Sequence, residues 1–278
     1  MPLTTVGGMG FFFSRKPAAK PASLTFTLSG AGHVYDDGHV GLNPTNLTIT
    51  EKRVAIIGLN GSGKSTLLGL LDGSLTPSAG TVTITGVGTD GDPASPTLST
   101  SSKRDLKTVD EWVGKVRREE IPNVFYRAEN ITQAVDESLK KHKIADAERA
   151  ARIGNLFAHF GLQRMRKTKA AELDSEKRHL LAIAAALAFD PAAIVADEPS
   201  KGLDEIGTRH VAEALFTYDK QVIVATHDTD MIVRPEYAID RTLVLDAQHV
   251  VFDGSPADAV AFYMDLIRKR YEAAKSAA

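Results

Sequence analysis

The run Gly58-Leu59-Asn60-Gly61-Ser62-Gly63-Lys64-Ser65 follows the pattern G-x-x-x-x-G-K-[ST] in full. Glycines at those positions let the backbone curl so that successive N–H groups converge on phosphate oxygens. A helix starting near Lys64 aims the positive end of its dipole at the same anion. The Lys64 ammonium can reach β- and γ-phosphates, and the Ser65 hydroxyl can ligate Mg²⁺. Gly58, Asn60, Gly61, Ser62, Gly63, Lys64, Ser65 and Thr66 are therefore the expected ATP-binding residues. Context supports the motif, because the apolar run Val54-Ala55-Ile56-Ile57 enters it and Ser65-Thr66-Leu67-Leu68-Gly69-Leu70-Leu71 leaves it with the composition of a helix.

A second apolar run, Ala193-Ile194-Val195-Ala196, delivers two carboxylates, Asp197 and Glu198, at its C-terminal end. Ligands of open α/β sheets bind at that edge of the strands. Asp197 is the expected second Mg²⁺ contact, acting through a coordinated water, and Glu198 the group that orients and polarises the attacking water. A third run, Val222-Ile223-Val224-Ala225, ends in Thr226-His227-Asp228. His227 is a catalytic candidate that can donate to the γ-phosphate or hold the water.

These groups need a sheet to bring them together. Leu24 to Leu28, Leu47 to Thr50 and Gly80 to Thr85 alternate as strands with one buried face. Val54 to Ile57, Ala193 to Ala196, Val222 to Ala225 and Thr242 to Leu245 are apolar runs of the kind buried parallel strands show. Residues 86–102, rich in Gly, Pro, Ser, Thr and Asp, are expected to form a surface loop. Helical spacing marks Ile131, Val135 and Leu139, then Ile153, Leu156, Phe157 and Phe160, then Leu180 to Leu187, and finally residues 258–275. Strands alternating with helices imply an α/β sheet.

The chain has 278 residues, 43% hydrophobic and 24% charged, and a net charge of -2. That balance predicts a globular domain with a substantial core and argues against nucleic acid as a partner. It contains no cysteine, which excludes disulfides and thiolate metal sites. The early apolar run Met9-Gly10-Phe11-Phe12-Phe13 is far short of a bilayer span of about 20 residues, and no basic segment precedes it, so a secretory signal is not expected. Residues 1–23 are expected to be a flexible extension.

Taken in order, the phosphate loop, Asp197-Glu198-Pro199, Ser200-x-Gly202-Leu203-Asp204 and Thr226-His227-Asp228 resemble the Walker A, Walker B, D-loop and H-loop of ABC ATPases. The resemblance covers residues 24 to about 265. It implies an α/β P-loop ABC ATPase domain over 24–278, with a mostly parallel core sheet, an antiparallel β subdomain and an inserted helical subdomain at roughly 104–190. It implies ATP and Mg²⁺ as cofactors and Tyr35, in His33-Val34-Tyr35-Asp36-Asp37-Gly38, as the residue that stacks on adenine. The wording of Leu47 to Arg53, Ile194 to Pro199 and Glu172 to Leu181 is similar to the ATPases of energy-coupling-factor vitamin and metal importers, the biotin subgroup included.

The sequence also departs from the family. Signature loops of ABC ATPases carry Leu-Ser-Gly-Gly-Gln or a near variant and contact the γ-phosphate held by the opposing subunit. The aligned residues here are Leu173-Asp174-Ser175-Glu176-Lys177. They lack the glycines that let amides approach phosphate, and they add two carboxylates where phosphate would dock. Asp174, Ser175, Glu176 and the D-loop residue Asp204 are the expected dimer-interface residues. A strand over Val113 to Val116 would put Arg118 in the usual glutamine position of the coupling loop, although Val109, Trp112, Val113 and Val116 also fit a helical stripe.

The resemblance therefore implies an ATP-hydrolysing importer motor on the cytoplasmic face of a membrane. Its partners would be an integral membrane subunit and a second ABC ATPase, with a different chain favoured over a second copy. The alternatives are a regulatory nucleotide-binding subunit and a soluble ABC ATPase outside transport.

Overall fold

The computed structural model describes residues 20–91, 96–117 and 121–277. The chain opens with β1 (Ser23–Val34), β2 (Val40–Ile49) and β3 (Arg53–Gly58), followed by α1 (Lys64–Leu71). Next come β4 (Ala79–Val87), β5 (Leu98–Ser99), α2 (Lys103–Trp112) and β6 (Val113–Arg117). The helices α3 (Asn123–Arg127), α4 (Ile131–Lys141), α5 (Asp146–His159) and α6 (Ser175–Leu187) lead to β7 (Ala193–Asp197). The chain continues with α7 (Glu205–Phe216), β8 (Gln221–Ala225), α8 (Thr229–Val233), β9 (Arg241–Asp246), β10 (His249–Gly254) and α9 (Pro256–Ala277).

Two sheets result. β2-β1-β4-β5 is antiparallel, and β10-β9-β3-β8-β7-β6 is parallel except for β10. Helix α1 lies between them and is apolar after its first turn, with Leu67, Leu68, Leu70 and Leu71 fully buried. The pleat of β3 divides its residues between two cores. Val54 and Ile56 join the core of α1 and the antiparallel sheet, while Ala55 and Ile57 join the core of the later helices. The buried Gln221 amide fastens β1 to the parallel sheet, accepting from Leu24 N–H at 2.9 Å and donating to the carbonyls of Leu24 and Glu51, each at 3.0 Å. The Arg241 guanidinium adds bonds to the Thr48 carbonyl at 2.7 Å and to Glu51 at 3.0 Å. These ties fix the antiparallel sheet, and with it Tyr35, against the phosphate loop.

Several expectations need correction. The helical stripe and the strand around residue 113 both exist, end to end. α2 buries Val109 and Trp112, and β6 then pairs in parallel with β7 from Val113↔Ala193 to Arg117↔Asp197. β6 therefore belongs to the core sheet, and the inserted helices begin after it rather than near 104. Residues 86–102 are not all loop: β4 runs through Val87, and Leu98, which is buried, forms a short strand opposite Ile84. The expected extension is engaged before residue 23, since Ala22 N–H donates to Val87 O and the Lys20 ammonium to the carbonyls of Phe189 and Asp190. Phe11 to Phe13 and Arg118 lie outside the described residues.

Candidate active site

The parallel order places β8 between β3 and β7, so the loops after all three strands open on one sheet edge. A cavity of about 400 Å³ there is lined by Tyr35, His39, Gly41, the run Asn60 to Thr66, Glu198 and Lys201. The phosphate loop is possible because two glycines sit where side chains cannot. Gly63 has φ +104°, and a Cβ on it would stand 2.7 Å from the Gly41 carbonyl oxygen. A Cβ on Gly58 would stand 2.3 Å from the Leu245 carbonyl oxygen of the neighbouring strand. Lys64 is only 6% exposed, and its ammonium donates to the carbonyls of Gly58 at 2.7 Å and Leu59 at 3.1 Å. Burial pulls its pKa below the usual lysine value against the opposing charges of Glu198 and Asp197. Ser65 lines the cavity, and Asp197 is buried at the end of β7.

Glu198 has φ +48°, a conformation that costs a non-glycine residue of order 1–3 kcal/mol. The strain is held because its N–H continues the β7–β8 ladder to Ala225 O at 2.8 Å. Its Oε1 lies 2.7 Å from His227 Nε2 and its Oε2 2.7 Å from Lys201 Nζ. Burial alone would push its carboxyl up. The Lys201 hydrogen bond and the charges of His227, Lys201 and Lys64 outweigh that and hold it below the usual carboxylate range. Glu198 is thus ionised at neutral pH, as a group that polarises water requires.

Tyr35 follows β1 in a tight turn, with its N–H on His39 O and its carbonyl accepting from Gly38 N–H, both at 2.9 Å. Its hydroxyl is 2.9 Å from Thr66 Oγ1, and its ring stands between His33 and His39. A Cβ on Gly41 would come within 2.5 Å of that ring. Tyr35 therefore shares the cavity with the phosphate loop, at the mouth formed by the antiparallel sheet.

The remaining expected residues lie outside this cavity. Asp174 precedes α6 and caps it, accepting from Lys177 N–H at 2.7 Å. Ser175 begins the helix, and Glu176 lies 3.1 Å from Lys177 Nζ and 3.4 Å from His210 Nδ1. Asp204 caps α7, accepting from Gly207 N–H at 2.8 Å. The two carboxylates that the sequence sets where phosphate would dock are both taken up within the chain. One carboxylate is taken up by the helix N-terminus and the other by a lysine and a histidine, while Arg178 donates to Leu173 O at 2.9 Å.

Sequence reasoning missed two residues. Gln248, at the β9–β10 turn, donates from Nε2 to Gly61 O at 2.6 Å and from its N–H to Ser62 O at 3.1 Å, so it buttresses the phosphate loop. Its turn has positive φ at both Ala247 and Gln248 and lacks the Asn-Gly signal that usually marks such hairpins. Lys201 stands in the unspecified position of Ser200-x-Gly202, and only a cation three residues from Glu198 could have drawn attention to it.

Comparison with known proteins agrees with this geometry. The family model described as ABC transporter matches residues 42–201, more than half of the chain. A Deinococcus radiodurans protein, named only at family level as an ABC transporter ATP-binding protein, is 32% identical over 238 residues, covering 86% of this chain and 96% of its own. The biotin transport ATP-binding protein BioM of Rhizobium etli is 29% identical over 82% of this chain and 92% of its own. The structure of CbiO1 from Clostridium perfringens, part of the ABC transporter complex CbiONQ, superposes with a TM-score of 0.70 at 27% identity, covering 88% of this chain and 93% of that one. The chain belongs to the ABC transporter family, as an ATP-binding, ATP-hydrolysing subunit.

Proposed function

We propose that this chain is the motor subunit of an energy-coupling-factor importer of a vitamin or metal ion, acting at the cytoplasmic face of the membrane through an integral membrane partner. The observation that carries the proposal is a complete hydrolytic half-site, Lys64 with Glu198 and His227, in a chain similar along more than four-fifths of its length to BioM and CbiO1. Among the described residues no helix is long and apolar enough to cross a membrane. Ser65 and Asp197 fit Mg²⁺: they offer hard oxygens, and Mg²⁺ needs only one or two from the protein when phosphates and water complete its shell. Bound there with ATP, it would neutralise charge on the phosphates. Glu198 accepts a hydrogen from water as the water oxygen bonds to the terminal phosphorus. The bond from that phosphorus to the bridging oxygen breaks, leaving ADP and phosphate. Expressed with the membrane proteins encoded beside its gene, the tagged chain should retain one of them through gel filtration in mild detergent. Elution only by itself or with its own copies would favour a non-transport ATPase.

The start of α6 supports a heterodimer. In this family that helix end meets the nucleotide of the opposing subunit, and here the Asp174 carboxylate already takes the Lys177 N–H. A phosphate docking there would meet a like charge. This chain therefore offers a sound Walker half and a poor signature half, and works best beside a different ATPase. Steady-state turnover of the chain alone should be low and should rise severalfold with Asp174→Ser and Glu176→Gly combined. Brisk turnover that the double variant leaves unchanged would count against this pairing.

A further inference from the structure

The residue of the hydrolytic centre with no part in the family pattern is Lys201. Its ammonium lines the same cavity as Lys64 and Asn60 to Thr66, and it also holds Glu198 Oε2 at 2.7 Å. Its backbone is fixed on both sides. Lys201 N–H donates to Glu198 O at 3.1 Å, and its carbonyl faces Nε2 of the fully buried His179 at 3.2 Å, whose Nδ1 faces Ser175 O at 2.7 Å. Gly202 then turns the chain at φ +89°. The side chain is 44% exposed and anchored on a rigid turn, so its head can move while its root cannot. An ammonium has three donors, so its ion pair with Glu198 leaves donors for a second acceptor.

We propose that Lys201 is a second phosphate-binding cation of this chain's own nucleotide site, contacting the terminal phosphate and positioning Glu198 against it. The inference rests on the placement of the triphosphate in the Lys64 cavity. Lys64 enters from the base of the phosphate loop. Lys201 enters beside the water-polarising carboxylate, so in this reading it faces the terminal phosphate, which ADP lacks. A single ammonium bridging Glu198 and that phosphate fixes the distance between base and electrophile, which charge attraction between Glu198 and Lys201 alone does not do. It also supplies from within the chain a positive charge at the terminal phosphate that does not depend on any opposing helix end.

The test compares ATP and ADP. Calorimetric titration of the purified chain with each Mg-nucleotide should show Lys201→Met weakening ATP about tenfold, the scale of one charge-assisted hydrogen bond to phosphate, with ADP changed less than twofold. Lys201→Arg, which keeps a cationic donor, should restore most of the ATP-to-ADP ratio. An unchanged ratio in Lys201→Met overturns the proposal, as does an equal loss for both nucleotides, which would mark Lys201 as a structural tie for the turn. A wild-type chain that bound neither nucleotide would overturn the site itself rather than the role of this one residue.

Discussion

Replacing Lys64 by alanine lowers affinity for Mg-ATP by roughly 100-fold or more, because two charge-assisted hydrogen bonds to phosphate are lost at about 1.5–3 kcal/mol each. The same ammonium now serves the Gly58 and Leu59 carbonyls at the base of the loop, so it is already placed and little ordering remains to be done on binding. The fold should survive the change. Burial disfavours the charged form of Lys64, so removing it relieves a desolvation cost that partly offsets the two lost bonds. Its pKa is lowered on folding, so by proton linkage the protonated lysine is a cost to the folded state, one that fades only as the pH rises through the lysine range. Thermal midpoints without nucleotide should therefore differ by a few degrees at most, while titration with ATP separates the proteins by two decades. Undiminished affinity in the variant would sink every assignment made for the cavity.

How much of this site the sequence carried depends on how far apart the cooperating atoms lie along the chain. The phosphate loop was readable because its signal is local: eight adjacent residues, one entering strand and one leaving helix carry the pattern. Glu198 and His227 were readable as candidates because each ends an apolar run. Their contact at 2.7 Å was not, since it needs β7 and β8 to be neighbours. Gln248 was invisible for the same reason: it meets Gly61 only because β9 lies beside β3 and turns back into β10.

The ambiguity over Val109, Trp112, Val113 and Val116 had a different physical origin. α2 passes into β6 with no loop between them, so a 3.6-residue period runs straight into a 2-residue one. In β6, residues three apart face opposite ways. Val113 joins the core under the antiparallel sheet and Val116 the core of the later helices, which a single helical face could not do. Asp174 teaches a related lesson. Its identity was plain and its charge was expected to repel, but a carboxylate at a helix N-terminus is also the best available cap. The bond to Lys177 N–H takes up that carboxylate and stabilises the residue's own helix.

Glu198→Gln lowers the hydrolysis rate by roughly 10²- to 10⁴-fold, the range a positioned general base contributes, and leaves affinity for ATP within a few-fold of the parent. The substitution is close to isosteric, and the surroundings can accept it. Lys201 can only donate, so the amide oxygen turns toward Lys201 Nζ and the amide N–H₂ toward His227. His227 Nε2, which donates to the carboxylate in the parent, then accepts from the amide, and no buried donor is left facing another donor. Removal of charge, not loss of packing, is therefore what the rate reports. Single-turnover hydrolysis, measured beside equilibrium binding of ATP, separates the two. The same variant distinguishes a motor from a nucleotide sensor. If this chain hydrolyses, alone or with its partner ATPase, blocking the water-activating carboxylate should trap ATP and accumulate a nucleotide-bound dimer visible by light scattering. A chain that merely senses nucleotide has no hydrolytic exit to block, and its dimerisation and turnover would be the same in the variant as in the parent. The strained φ of +48° at Glu198 favours the motor, because a sensor gains nothing from holding a carboxylate in that conformation between a histidine and a lysine.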